Sequence, residues 1–169
     1  MALENAQVVL REAAAEDHSA VAEICRANRR AVWGPQALVS KVDRLAVVAT
    51  VDGEVVGVAK THLFEEPDGD APAGHYLCGI EVAPQWRRHG LGSRLTRSRL
   101  EWIWERSDRA FFFTNEHNSA SIGLHRGFGF TPISIGPTVR GVSADDGLAD
   151  LILYEAVRPA LASSAQSGR

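Results

Sequence analysis

"YLCGIEVAPQWRRHGLGSRLTRSRLEWIW", residues 76–104, decides the reading of this chain. A β-rich run ends at Pro84, two arginines follow, and Gly90-Leu91-Gly92 opens a helical pattern that extends to about Ser107. A helix N-terminus presents unpaired N–H groups and the positive end of the helix dipole. Glycine lets a ligand approach the backbone itself, and Arg87 and Arg88 add charge. Together these features read as a phosphate or pyrophosphate cradle. The same residues also fit a plain strand-to-helix turn with solvated arginines. A P-loop fits worse because Gly-Lys-Ser/Thr is absent. The dinucleotide fingerprint fits worse because position 95 is leucine where a third glycine is required.

Outward from this stretch the chain alternates between strand and helix signals. "AQVVLRE" reads as a first strand. "AAAEDHSAVAEICRANRRAV" reads as a helix with Val21, Ile24 and Cys25 on one face and Asp17 or Ser19 as its cap. "WGPQALVSKV" is a break with a second short helix. Two β-rich runs flank Asp52-Gly53, a tight hairpin signal. "EEPDGDAPAGH" is an acidic loop. Leu91, Leu95 and Trp102 lie on one face of the long helix and Leu100, Ile103 and Trp104 on others, so that helix is largely buried. "AFFFTN" is a central strand, "NSASIGLHRGFGF" a short helix, and two further strands flank "SADDG". This order predicts one domain with a mixed α/β sheet over residues 1–158 and a polar, frayed tail over 159–169.

The chain has 169 residues with 18 basic and 21 acidic side chains, a formal charge of −3. That balance argues against a nucleic-acid partner and makes the basic stretch local, suited to a small anion. Cys25 and Cys78 are too few and too far apart for a metal cluster, and read as reduced thiols of a cytoplasmic protein. No apolar run has the length of a membrane span, and acids interrupt the first 18 residues, which do not read as a secretion signal.

"VAPQWRRHGLGSRL" resembles the acetyl-CoA signature of the GNAT superfamily of N-acetyltransferases, Arg/Gln-x-x-Gly-x-Gly/Ala after a strand ending Val-x-Pro, with Arg87, Gly90 and Gly92 at the key positions. "NSASIGLHRGFGF" resembles that family's second segment, in order and at the family's spacing. The resemblance runs from about Val8 to Val157. It implies a mostly antiparallel sheet of about seven strands, flanked by about four helices, with Leu77–Val82 and Ala110–Asn115 splayed at their C-terminal ends. Acetyl-CoA would then be the cosubstrate. Its pantetheine arm would bond strand backbone at Ile80 and Val82. Its pyrophosphate would lie on the backbone from Arg87 through Arg88, His89, Gly90, Leu91 and Gly92 to Ser93. Asn118 either bonds the arm or caps its own helix. Family members with open sheet edges often form homodimers.

Acetyl transfer to an amine needs a neutral nucleophile, a donor at the carbonyl oxygen and a proton for the departing thiolate. The resemblance implies an acid where His125 stands in place of the usual tyrosine. It implies a base on the strand that carries Tyr76 and Cys78. Glu81 is the carboxylate of that strand, a candidate base or amine anchor; simple alternation puts it opposite Cys78, and a bulge would reverse that. Cys78 as acyl carrier lacks a His/Asn pattern. The acceptor is expected to be a small cationic or amino-acid-like amine, held beside Trp33 and the acidic segments Glu65, Glu66, Asp68, Asp70, Asp145 and Asp146. A protein N-terminus or lysine, or a CoA-binding module without catalysis, are the other readings.

Overall fold

The computed structural model describes residues 6–161; the expectations for residues 1–5 and 162–169 fall outside it. Among the described residues there are nine strands and three α-helices; seven of the strands make one mixed sheet and the other two a small separate one. The strands are β1 (Val8–Glu12), β2 (Ala46–Val51), β3 (Glu54–Phe64), β4 (Gly74–Val82), β5 (Arg109–Asn115), β6 (Thr131–Gly136), β7 (Thr138–Val139), β8 (Val142–Ser143) and β9 (Leu151–Val157). The helices are α1 (His18–Ala27), α2 (Leu91–Trp104) and α3 (Ser119–Arg126). Seven strands pair in the order β1-β2-β3-β4-β5-β9-β6. Only β4 and β5 run parallel, because α2 carries the chain back between them.

The local chemistry explains the elements that were expected. Asp52 and Gly53 take φ of 50° and 86°, the two left-handed positions of the hairpin joining β2 to β3. Every residue of β2 is buried, since α2 covers one face of the sheet and α1 the other. Val47, Ala49 and Val51 pack with Leu91 and Leu95, while Val48 packs with Val21, Cys25 and Leu38.

Three expectations are corrected. The second short helix is only a 3-10 turn at Pro35–Leu38, leaving three α-helices among the described residues. Val39 beyond it is extended, and Ser40 bonds both Ala46 N–H and Ala46 O, tying the chain to β2. Asp17 holds the N-cap position of α1 but makes no capping bond to it: its carboxylate accepts from Ala14 N–H and from both terminal nitrogens of Arg11, all at 2.8 Å. "SADDG" leads from β8 to β9, but it is not a hairpin turn, because those two strands do not pair: β8 pairs with β7 across the turn Arg140-Gly141, and β9 inserts between β5 and β6. Arg140 tolerates φ of 50° because its guanidinium lies 4.0 Å from the Phe64 ring centroid and donates to Pro72 O.

Candidate active site

The site is built by a break in the sheet. β4 and β5 pair only at His75 with Ala110 and Tyr76 with Phe111, and beyond that they diverge. Between their ends lies a cavity of about 770 Å³, closed by α2, α3 and the segment after α1. Of the residues predicted to hold the cosubstrate, Ile80, Val82, Arg87, Arg88, Gly90, Leu91, Gly92, Ser93 and Asn118 line it. His89 does not; its Nδ1 lies 2.7 Å from Arg87 O.

Gly90 heads α2 with φ of 77° and supplies no side-chain cap, so the first amides of the helix point into the cleft without a protein side chain on them. A Cβ at Gly92 would meet nothing closer than Leu124 Cδ2 at 3.5 Å. These features fit a pyrophosphate: donors at a helix N-terminus, room for close approach, and adjacent arginines. Asn118 is the N-cap of α3, with Oδ1 accepting from Ser121 N–H at 3.1 Å and Nδ2 donating to Thr114 Oγ1 at 3.1 Å.

β4 carries a bulge. Thr61 faces Leu77 and Ala59 faces Ile80, so Cys78 and Gly79 together oppose Lys60. In consequence Leu77 and Ile80, three residues apart, both pack toward α2, and Glu81 shares the face of Cys78. Gly79 takes φ of 104°, and a Cβ there would lie 2.7 Å from Trp33 Cζ2. Trp33 therefore covers the bulge, and its ring also receives Lys60 Nζ at 5.0 Å.

The bulge turns Glu81 toward the mouth of the cavity. Its Oε2 accepts from Asn28 Nδ2 at 2.7 Å, and Oε1 lies 3.5 Å from Arg30 Nε. Arg30 in turn pairs with Asp145 at 2.9 Å, and Asn28 Oδ1 accepts from Arg87 at 2.6 Å. Arg30 and Asp145 also wall a second cavity of about 370 Å³, which shares Phe113, Thr114 and Asn118 with the first. Asp146 is turn chemistry, its Oδ1 accepting from Leu148 and Ala149 N–H. Glu65, Glu66, Asp68 and Asp70 are exposed and line neither cavity.

The remaining two sequence candidates part company. His125 lines the cavity, 3% exposed, with its ring stacked on Phe112 at 3.8 Å. Its Nδ1 lies 2.7 Å from Ser121 O, a bond that requires the hydrogen on Nδ1 and leaves Nε2 as an acceptor. Burial pushes its pKa down to about 4 despite that bond, so the ring is neutral at pH 7. Tyr76 is fully buried in the core cluster with Phe111 and Leu153, its hydroxyl donating to Pro72 O at 2.7 Å, and it does not line the cavity.

Arg99 was missed. It lies on the core-facing side of α2, four residues after Leu95, and lines the cavity while only 1% exposed. A charged residue on an otherwise apolar stripe was the available signal. Asn28 and Arg30 carried no signal beyond their segment; only the fold brings them to Glu81.

No helix among the described residues is long and apolar enough to cross a membrane. A family model for the GNAT acetyltransferases matches residues 9–130. The chain is similar to the acetyl transferase GW6a of Oryza sativa subsp. japonica, 41% identical over 58 residues, which are 33% of this chain and 14% of that protein. In structure it is similar to the ribosomal-protein-S18-alanine N-acetyltransferase of Escherichia coli, with a TM-score of 0.71, 19% identity, and coverage of 93% of this chain and 98% of that one. It is also similar to a GNAT superfamily phosphinothricin acetyltransferase of Sinorhizobium meliloti, solved in complex with AcCoA, with a TM-score of 0.68, 19% identity, and coverage of 89% and 88%. At such identities the structural likeness speaks for the fold alone, while the family match spans most of the chain, from residue 9 to 130: the chain belongs to the GNAT acetyltransferase family.

Proposed function

We propose that this protein transfers the acetyl group of acetyl-CoA to the primary amine of a small, amino-acid-like acceptor by direct attack in a ternary complex. The observation that carries the reading is one cavity lined both by the uncapped N-terminus of α2 and by Glu81 and Arg30. Arg30 in turn pairs with Asp145 on the wall of the second cavity. The helix end suits the pyrophosphate of acetyl-CoA. The charged group offers carboxylates for an ammonium and a guanidinium for a carboxylate, the two charges of an amino acid.

In this mechanism Arg87 exchanges its bond with Asn28 for a phosphate oxygen. Backbone N–H groups from Gly90 to Ser93 take the remaining anionic oxygens. The pantetheine arm follows the backbone of β4 at Ile80 and Val82, edges that β5 leaves unpaired. Glu81 takes the proton of the acceptor ammonium. The amine lone pair then bonds to the thioester carbon and the carbonyl π pair moves onto oxygen. When the carbonyl reforms, the C–S bond breaks with its electron pair on sulfur, and the nitrogen releases its second proton to water to leave the neutral amide. An N–H at the β4 bulge is the donor aimed at the oxyanion. His125, neutral and with Nε2 as its acceptor, is suited to receive a hydrogen bond from the CoA thiol rather than to protonate the thiolate. Tyr76 supports the core behind β4.

The test is release of CoA thiol from acetyl-CoA across a panel of amino acids, polyamines, aminoglycosides and peptide N-termini, with mass detection of the acetylated product. Turnover of free amino acids or their analogues is the expected result. Turnover only of peptides redirects the acceptor reading, and tight acetyl-CoA binding without turnover of any amine leaves a CoA-binding module.

A further inference from the structure

Arg99 is a cation buried at the floor of the cleft with no acidic partner. Its Nη1 lies 3.2 Å from Gly79 O and 3.3 Å from Lys60 O, and Nη2 donates to Thr96 Oγ1 at 3.1 Å. Its Nε is buried and without a partner, and no described carboxylate pairs with it. Burying such a charge is costly; the two carbonyls and the hydroxyl around it offset that cost without neutralising it, so it remains available to negative charge that develops in the cleft.

Its two carbonyl partners say where it acts. Lys60 and Gly79 are the residues that face each other across the bulge, where the β3–β4 ladder is interrupted. A bulge leaves backbone groups without ladder partners, and the guanidinium supplies donors to both. Arg99 on one side and Trp33 on the other thus hold the bulge in one conformation. On the cavity side the neighbouring residues are Ile80 and His125, where the thioester is expected.

We infer that Arg99 is a positioning residue for acyl transfer: it fixes the bulge beside the expected thioester, and its positive charge stabilises the thiolate as it departs. The inference rests on the acetyl-transfer reading above. It also accounts for a cleft in which the expected acid is a neutral histidine. The electron pair of the broken C–S bond stays on sulfur under the field of the guanidinium, and the thiolate takes its proton from water afterwards, so no further reactant is needed. The titratable groups around this point are Lys60 on β3, Cys78 and Glu81 on β4, and His125 on α3; β5 contributes Phe112, Phe113 and Thr114, and α1 is followed by Asn28 and Arg30. Burial pushes the Cys78 thiol up, which disfavours its thiolate, and Lys60, pushed down by burial, carries positive charge or none, so neither supplies Arg99 with an anionic partner.

The experiment titrates CoA itself on the protein by the ultraviolet absorbance of its thiolate, in wild type, Arg99→Met and Arg99→Lys, alongside acetyl-CoA affinity, melting temperature and kcat with the amine chosen by the panel. In wild type the bound thiol is expected to titrate below free CoA. Arg99→Met raises that pKa by about one unit or more and lowers kcat about 10- to 100-fold, while acetyl-CoA Kd stays within about threefold. Arg99→Lys keeps the low thiol pKa but loses part of kcat, because one ammonium does not reproduce the planar fork that serves both carbonyls. A bound thiol that titrates like free CoA in wild type overturns the inference, as does a folded Arg99→Met protein with kcat within twofold of wild type. Should Arg99→Met not fold, the wild-type titration decides alone. Failure of wild type to bind CoA at all would overturn the acetyl-transfer reading instead.

Discussion

Gly92→Ala separates what the fold requires from what the ligand requires, because the two effects have opposite signs. Gly92 is helical, the second residue of α2, and an added Cβ would have Leu124 Cδ2 at 3.5 Å as its nearest neighbour, an ordinary contact. The protein alone has no need of glycine there. Alanine restricts the unfolded chain and favours the helix, so the substitution should stabilise the fold by about 0.4–1 kcal/mol. That corresponds to a rise in Tm of about 1–4 °C for a chain of this size. The same methyl group projects into the cleft between α2 and α3, over amides assigned to the pyrophosphate. Loss of one charge-assisted hydrogen bond costs about 1.5–3 kcal/mol, or roughly 10- to 150-fold in acetyl-CoA Kd. Thermal melts and titration calorimetry on the same sample read both quantities. A variant that melts higher and binds acetyl-CoA as well as wild type would refute the cradle. A variant that melts lower would refute the statement that the fold leaves the site free.

Four further outcomes are expected. Glu81→Gln should lower kcat about 10²-fold, with acetyl-CoA Kd unchanged, if Glu81 takes the ammonium proton; steady-state kinetics below the acceptor's own pKa is the check. His125 binds its proton less readily folded than unfolded, so stability falls as pH drops from about 6.5 towards 4 and is regained as it rises. His125→Gln should flatten that limb by up to about 3 kcal/mol in denaturant titrations, and leave kcat within about tenfold. Gly79→Ala combines φ of 104° with a 2.7 Å approach to Trp33 and should cost about 2–5 kcal/mol; adding Trp33→Ala should relieve the clash but not the backbone strain, which a double-mutant cycle measures. The Arg11 guanidinium holds the Asp17 carboxyl below its usual range, so Asp17→Asn should destabilise by about 1–3 kcal/mol at pH 7. Because the folded pKa is depressed, that difference should be present above about pH 4 and vanish as pH falls through the folded value.

What the sequence determined by itself is the chemistry carried by consecutive residues. Gly90 and the Asp52-Gly53 hairpin take left-handed backbone conformations that favour glycine, and Asn118 is a residue type that caps helices, so each was legible locally. Arginines beside an uncapped helix start were likewise legible in the sequence as a candidate anion site. Tertiary structure decided everything that depends on which strand lies opposite which. Cys78 and Gly79 form a bulge only because β3 has one residue fewer across from them, and that single insertion turns Glu81 toward Asn28 and Arg30. Tyr76, two residues before the bulge, is turned into the core by the same strand, and its hydroxyl finds Pro72. The neutral state of His125 follows from burial against Phe112 and a bond to Ser121, neither of which its own residue type announces. Arg99 is the sharpest case: its place on the apolar stripe of α2 was visible, but only the interrupted ladder above it supplies the carbonyls that make a buried guanidinium tolerable. Local backbone preference needs a few adjacent residues, whereas charge, tautomer and side-chain direction at this cleft are set by the low-dielectric surroundings that distant segments build together.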